Sequence, residues 1–425
     1  MEEAGGGLSE HDVAKTRLHF VVGKGGVGKS TIASASAVAA ARAGERVLVT
    51  SLDEAHSLRD VFGADCCGAP LQSDSGESDA GESGAAGVDV LPGSGPTAAT
   101  GGGSLELREL DTVELAARRW RSLVGTVTGA RIAATAGELL PEELTIVPGV
   151  QEFLGMAEIA ELAGSGRWDR VVIDCPPTGA ALRMFETPSA LGAYLERLWP
   201  RHRRLGRIPS SARMLAAVGA AEQLDASASR IDSLVGDPAR SAVTVVTAPG
   251  AVATAETRRI LTALALAGPP MHSVVINRSR SADEAEAYEG VRVVRVPEAE
   301  DEPVGVEALA RLSGALGALD VHAGPAPDAG GATAIGERGG CAPATSVRLE
   351  SGSGLESVYA LSVRLPFADT VQAGRAGDDL ILTAGGVRRR VPLAPVLRRC
   401  AVQDGALGDG VLRIRFRPDP EVWPL

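Results

Sequence analysis

The residues of this chain best placed to do chemistry stand together near its start: Gly23-Lys24-Gly25-Gly26-Val27-Gly28-Lys29-Ser30-Thr31. The run satisfies G-x-x-x-x-G-K-[ST], a pattern in which each residue type has a physical task. Glycines let backbone N–H groups turn inward around a phosphate without Cβ clashes. A helix beginning near Lys29 adds the positive end of its dipole. The Lys29 ammonium can reach the β- and γ-phosphates, and the Ser30 hydroxyl can ligate Mg2+. The chemistry expected of such a loop is binding of Mg-ATP and its hydrolysis.

That chemistry requires a strand entering the loop and a helix leaving it. Residues 17–23, R-L-H-F-V-V-G, read as a buried strand. Residues 30–42 are alanine-rich and helical in propensity, with Gly44 closing the helix, and 46–51, R-V-L-V-T-S, form a second short strand. This βαβ unit predicts an α/β fold with a doubly wound, mostly parallel sheet. Further strands are expected at 168–174 (W-D-R-V-V-I-D, ending on an acid), 241–248, 272–277 and 291–296, and helices at 254–267 and 306–319. Residues 105–164 and 182–232 read as mostly helical insertions, with the run R-H-R-R at 201–204 taken as a solvated face.

The chain has only three lysines, Lys15, Lys24 and Lys29, and two of them lie in this one loop. A compact, flexible ammonium is retained where a planar guanidinium would not fit. A second lysine directly after the first glycine resembles the deviant P-loop of arsenite-pump ATPases, septum-site ATPases and nitrogenase iron proteins. The resemblance implies that Lys24 crosses a dimer to the partner's nucleotide; the sequence itself shows only a second lysine beside the cradle.

Other segments carry the same likeness. Thr50-Ser51-Leu52-Asp53-Glu54-Ala55-His56-Ser57-Leu58 resembles the S-T-D-P-A-H-S-L segment of arsenite-pump (ArsA) and tail-anchored-protein-targeting ATPases, with Glu54 at the family's proline. An acid at the end of a sheet strand beside the loop can orient an attacking water, which makes Asp53 the candidate for that role; its alternative is an N-cap on a helix over 54–62. The stretch from Asp174 to Arg183, D-C-P-P-T-G-A-A-L-R, is similar to the family's D-x-A-P-T-G-x-T-L-R switch, departing at Pro176 and Ala181. The likeness places Asp174 in the shell of Mg2+ and lets Gly179 swing backbone toward the γ-phosphate. Fainter echoes are E-L-T-I-V-P-G at 143–149, P-S-A-L-G-A-Y at 188–194 and E-P-V-G-V-E at 302–307. Asn277, after a strand, resembles the family's adenine-reading asparagine, or else caps a turn.

The resemblance spans residues 18–316 apart from an insertion, and then changes character. Beyond a Gly/Ala/Pro-rich stretch, 357–365 and 411–416 alternate apolar and polar residues, and Gly385-Gly386 separates two more strand-like runs. Period two with glycine turns predicts a small C-terminal antiparallel β-sandwich. Residues 361–366, 379–385, 388–393 and 401–416 resemble the small heat-shock-protein-like (α-crystallin-type) domain found at the end of many bacterial ArsA-like ATPases. The domain reading is a flexible N-terminus at 1–16, an ATPase domain at 17–320, a linker at 321–345 and the β domain at 346–425. Within the ATPase domain, 64–104 is Gly/Ser/Ala/Asp-rich and has too little apolar surface to offset its ordering entropy, so it reads as a disordered insertion.

Composition narrows the partners. A net charge of −12 argues against nucleic acid or anionic membrane as a broad target. No run of about 18 apolar residues predicts a membrane span, and the acidic, Gly-rich start does not read as a signal peptide. Five cysteines, Cys66, Cys67, Cys175, Cys341 and Cys400, form no C-x-x-C pair, which suits a reducing cytosol. None repeats the soft thiolate triad of the arsenite pumps, so metalloid stimulation is the lesser reading. Five scattered methionines and no zinc C-x-x-C do not suit a tail-anchor groove, and the chain's end does not suit a membrane-binding basic helix. The expectation is a cytoplasmic, ATP-hydrolysing homodimer that couples to an unknown protein client or membrane partner, or a nucleotide-binding adaptor acting through its β domain.

Overall fold

The computed structural model describes residues 16–53, 57–63, 86–88, 103–110, 114–115, 118, 149–205, 212–316 and 345–423. The expected flexible start, most of the insertion and linker, residues 54–56, and Cys66, Cys67 and Cys341 lie outside the described residues.

The first unit follows from buried apolar strands. β1 (Arg17–Gly23) leads through the glycine loop into α1 (Lys29–Arg42), and β2 (Arg46–Ser51) returns beside it. After α2 (Ser57–Phe62) come β3 (Ala86–Val88) and β4 (Ser104–Glu109). Then α3 (Val150–Gly164) precedes β5 (Arg170–Asp174), α4 (Thr178–Leu198), α5 (Arg201–Leu205) and α6 (Ala212–Gly236). The unit ends with β6 (Ser241–Thr247), α7 (Ala251–Ala267), β7 (Met271–Ser279), β8 (Val293–Pro297) and α8 (Val306–Ala315).

These strands make one sheet in the order β3-β4-β2-β5-β1-β6-β7-β8, parallel throughout except for β3. Strand residues alternate between two cores, as the period of two demands. Leu18, Phe20 and Val22 join Phe153, Met184, Ile231 and Leu264 on one face. Val21, Val47 and Val172 join Ile32, Val38 and Leu309 on the other. Helices therefore cover both faces, and the doubly wound sheet is as the sequence suggests. Alanine accounts for the helix behind the loop: Ala33, Ala35, Ala37, Ala40 and Ala41 of α1 are all buried, so the helix lies close against sheet and neighbouring helix. Gly44 follows it with a φ of +98°, the left-handed conformation that glycine adopts freely.

Three sequence expectations need correction. Residues 104–109 are a strand parallel to β2, not helix, and 86–88 pairs with it, so part of the presumed disordered insertion belongs to the sheet edge. The alternation of S-L-E-L-R-E buries Leu105 and Leu107, which a helical reading would have spread around a cylinder. The run at 201–204 is not wholly a solvated face either. Arg204 is buried and meets Glu222 at 3.1 Å, Asp225 at 3.2 Å and Glu196 at 3.6 Å, tying α5 between α4 and α6. The linker also ends one residue sooner than expected, because Thr345 opens a strand.

The second unit is a sandwich. Its larger sheet has the order β14-β15-β10-β9, from β9 (Thr345–Ser351), β10 (Val358–Arg364), β14 (Cys400–Gly408) and β15 (Val411–Pro418). Its smaller sheet is β11 (Val371–Ala376), β12 (Asp379–Ala384) and β13 (Val387–Pro392), and a short α9 (Pro395–Arg398) links the two sheets. Leu361, Val363, Leu380, Leu382, Ile414 and Phe416 fill the space between. Among the described residues no helix is long and apolar enough to cross a membrane.

Candidate functional site

The site forms where β1, β2 and β5 end side by side. Register sets it: Asp174 lies level with Val21 of β1 and with Ser51 of β2. The loop after β1 and the segment after β2 therefore rise next to the acid that closes β5.

The loop's glycines are fixed by close approach and by backbone sign. A Cβ on Gly23 would stand 2.3 Å from the Val246 carbonyl oxygen. Gly28 has a φ of +91°, and a Cβ there would meet Asn277 Nδ2 at 2.3 Å. α1 starts after Gly28 with no side-chain cap, so the amides of its first turn are left for an outside acceptor. Lys29 opens the helix with little exposure, beside the acids at the strand ends.

Ser30 and Asp174 are in contact: the Ser30 hydroxyl donates to Asp174 Oδ2 at 2.6 Å. Asp174 is fully buried, and its Oδ1 has no hydrogen-bond partner among the described residues. Burial pushes its carboxyl up to about 6, the Asp53 charge adds to this, and the Ser30 hydrogen bond and Lys29 oppose it. A buried carboxylate with an unused oxygen, held against a serine hydroxyl, suits a hard divalent cation with a water shell such as Mg2+. Asp53 is set by a local turn in which its amide donates to Ser51 Oγ at 3.0 Å. Its charge is felt by Asp174, which places it at the same strand ends.

Asn277 sits at the end of β7 with both polar groups engaged. Nδ2 donates to the Val27 carbonyl at 2.9 Å, and Oδ1 accepts from the Arg278 amide at 3.0 Å. In this conformation it braces the underside of the loop. The switch segment leaves β5 through Cys175, whose thiol burial and the Asp174 charge push well up, and α4 begins at Thr178. Thr178 Oγ1 is buried and has no hydrogen-bond partner among the described residues, a feature visible in sequence only as the threonine of the quoted switch. Lys24 is half exposed and pairs within its own chain, Nζ to Glu256 Oε2 at 2.9 Å. Nothing in the sequence marked Glu256, a single acid on a helix far along the chain.

Two cysteines lie among the described residues, Cys175 and Cys400, both buried and free. No three His, Cys, Asp or Glu side chains among the described residues converge as a metal cluster.

The family model for anion-transporting ATPases matches residues 16–286, and that for an HSP20-like domain found in ArsA matches 356–416. The chain is 40% identical to protein Rv2184c of Mycobacterium tuberculosis over 97% of its own length and 98% of the relative's. It is 24% identical to a putative arsenical pump-driving ATPase of Aquifex aeolicus, over 70% of this chain and 78% of that one. Similarity to an ATPase ASNA1 homolog of Paramecium tetraurelia, 30% identical, covers 42% of this chain and 46% of the relative.

Proposed function

The chain belongs to the anion-transporting ATPase family, and we propose that it is a Mg-dependent, ATP-hydrolysing switch that works as a homodimer and drives a protein client or membrane partner. The observation that carries this reading is the contact of Ser30 with a buried Asp174 whose second oxygen has no hydrogen-bond partner among the described residues, beside the start of α1, which has no side-chain cap.

Each residue then has a task. The amides after Gly23 and at the start of α1 cradle the phosphates, and Lys29 neutralises their charge. Ser30 and Asp174 are the residues that would hold Mg2+, which when bound supplies charge stabilisation on the phosphate oxygens. Asp53 orients the attacking water and accepts its proton. Asn277 keeps the loop in shape through Val27; reading adenine would require its amide to leave that carbonyl. Lys24 of a second copy completes neutralisation as the two site faces close; charge supplied in trans can be worth roughly 10³–10⁵ in rate for arginine fingers. An arsenical ligand has less support, because burial holds Cys175 protonated and the Cys400 thiol is also pushed up by burial.

The test is direct. Lys29→Ala should abolish ATP binding, and Asp53→Asn should bind ATP but not turn it over, both read with labelled nucleotide. Normal hydrolysis by Asp53→Asn would remove Asp53 from the role of orienting water.

A further inference from the structure

The two units exchange side chains. Leu266, near the end of α7 in the ATPase unit, is buried in the core of the sandwich with Leu382 and Leu393. In return Phe367 of the sandwich packs on the ATPase core, under the Arg258 guanidinium at 5.4 Å from its ring centre. Thr262 Oγ1 donates to the Pro366 carbonyl at 2.5 Å. The β12–β13 hairpin turns at Gly385, where a Cβ would lie 3.3 Å from the Arg259 carbonyl oxygen. Together these contacts pack the hairpin and Phe367 against α7.

The same helix reaches the nucleotide site. Glu256, two residues before Arg258 on α7, holds Lys24 at 2.9 Å, and Thr257 Oγ1 donates to Thr247 Oγ1 at the end of β6 at 2.8 Å. A second route runs through α4, which begins at the switch after Asp174. Glu186 on α4 faces Arg389 of β13, near enough for each charge to act on the other. Yet Glu186 Oε1 and Arg389 Nη1 are both buried without a hydrogen-bond partner among the described residues. Burial raises the Glu186 carboxyl and lowers the Arg389 guanidinium, and Asp232 on α6 is the other charge on that arginine. Two opposite charges thus face each other, each with one buried atom left without a hydrogen-bond partner among the described residues, and a shift of α4 toward β13 would let them pair.

Building on the ATP reading above, we propose that the C-terminal sandwich senses the nucleotide state of its own chain, with α7 as a rigid connection through Leu266 and the Glu186–Arg389 gap as the contact that closes when the switch moves. The sandwich is then part of the ATPase cycle and not a tethered module. Coupling of this kind is established by a change in one unit when the other binds ligand, and by its loss on cutting the link.

Hydrogen exchange of the full chain, with and without a non-hydrolysable ATP analogue and Mg2+, tests it. Binding should slow exchange several-fold at 23–31, and also at 365–368 and across Asp379–Pro392. In Arg389→Met the loop should still respond while the sandwich response is lost. Glu186→Gln, nearly isosteric, should give the same result and serves if Arg389→Met folds poorly. A loop that responds with an unchanged sandwich, or a sandwich response that survives in Glu186→Gln, overturns the coupling. No protection at 23–31 would overturn the ATP reading itself, and the coupling with it.

Discussion

Lys24 and Glu256 form an ion pair inside one chain, 2.9 Å from Nζ to Oε2, with the lysine about half exposed. A lysine proposed to serve a partner's nucleotide is thus occupied at home. Exposed pairs of this kind are worth about 0–1 kcal/mol, so Glu256 delays the crossing without preventing it. Because each dimer breaks two such pairs, Glu256→Gln should lower the protein concentration for half-maximal ATP turnover by up to roughly thirtyfold. An increase would show that Glu256 orients Lys24 for its task instead of withholding it.

The same arrangement predicts complementation. Lys24→Ala should bind ATP, lose turnover and dimerise weakly. Mixed with Lys29→Ala, it should regain activity, because the intact Lys29 in one chain can receive the other chain's Lys24. Random pairing puts half the dimers in the mixed form with one working site each, so recovery near about a quarter of the wild-type rate is expected. Ultracentrifugation showing a monomer in ATP, with turnover independent of concentration, would rule out the dimer.

Glycines of the loop should differ sharply in tolerance. Gly23→Ala drives a Cβ onto the Val246 carbonyl, and Gly28→Ala combines positive φ with a clash on Asn277, whereas a Cβ on Gly25 meets nothing within 4 Å. The first two should cost on the order of 1–3 kcal/mol and lower ATP affinity at least tenfold, while Gly25→Ala stays close to wild type in stability. Equal tolerance in thermal melts and nucleotide titrations would mean the loop adopts another shape.

What the sequence made legible follows from how narrowly chemistry and packing restrict residue choice. Phosphate binding admits little besides glycine, lysine and serine at 23–31, and buried parallel strands such as R-V-V-I-D announce themselves. β4 does not stand out as a strand because six residues of S-L-E-L-R-E beside a polar stretch give too short a pattern to set the period. β11 and β14, V-Q-A-G-R-A and C-A-V-Q-D-G-A-L-G, are mostly exposed edge strands, so no alternation of apolar residues marks them. Arg204 and Glu256 act through partners distant in sequence or on other helices, and a single charged residue carries no sign of such a partner.

At the other end of the strands from the site, Glu45 accepts Nε and Nη2 of Arg170 at 2.7 and 2.8 Å, and Arg17 at 2.8 Å. Burial alone would raise its carboxyl, but Arg170 and then Arg17 outweigh that and hold it below the ordinary value. Glu45→Gln removes the charge that faces both Arg170 and Arg17 and should cost roughly 1–3 kcal/mol at neutral pH. Because the folded-state value is depressed, the contribution is present above the unfolded carboxylate value and lost as pH falls. The gap between wild type and variant in urea melts should shrink below about pH 4. A gap constant from pH 3 to pH 7 would mean the ion pair contributes nothing.

Asp174 offers the converse case, a residue retained against stability. It is fully buried at the end of β5, one oxygen accepts the Ser30 hydroxyl, and the other has no hydrogen-bond partner among the described residues. Burial first, then the Asp53 charge, push its carboxyl up to about 6 against the opposing pull of Ser30 and Lys29. The native protein therefore binds this proton more tightly than the unfolded chain. Stability without nucleotide should fall as pH rises from about 4 to 6, and the full penalty should stand above that range. Asparagine keeps an acceptor for Ser30 and removes the charge. With each pKa unit equivalent to about 1.4 kcal/mol, Asp174→Asn should stabilise the nucleotide-free protein by roughly 1–3 kcal/mol at pH 8, a gain of a few degrees in Tm that disappears below about pH 4. The same variant should lose turnover by at least about 100-fold. It should also gain less than wild type in Tm from added Mg-ATP, because a ligand stabilises in proportion to how tightly the folded state binds it. A variant less stable than wild type at pH 8 would show that the Asp174 charge is compensated in the resting protein. One that hydrolyses ATP normally would remove Asp174 from the cation site.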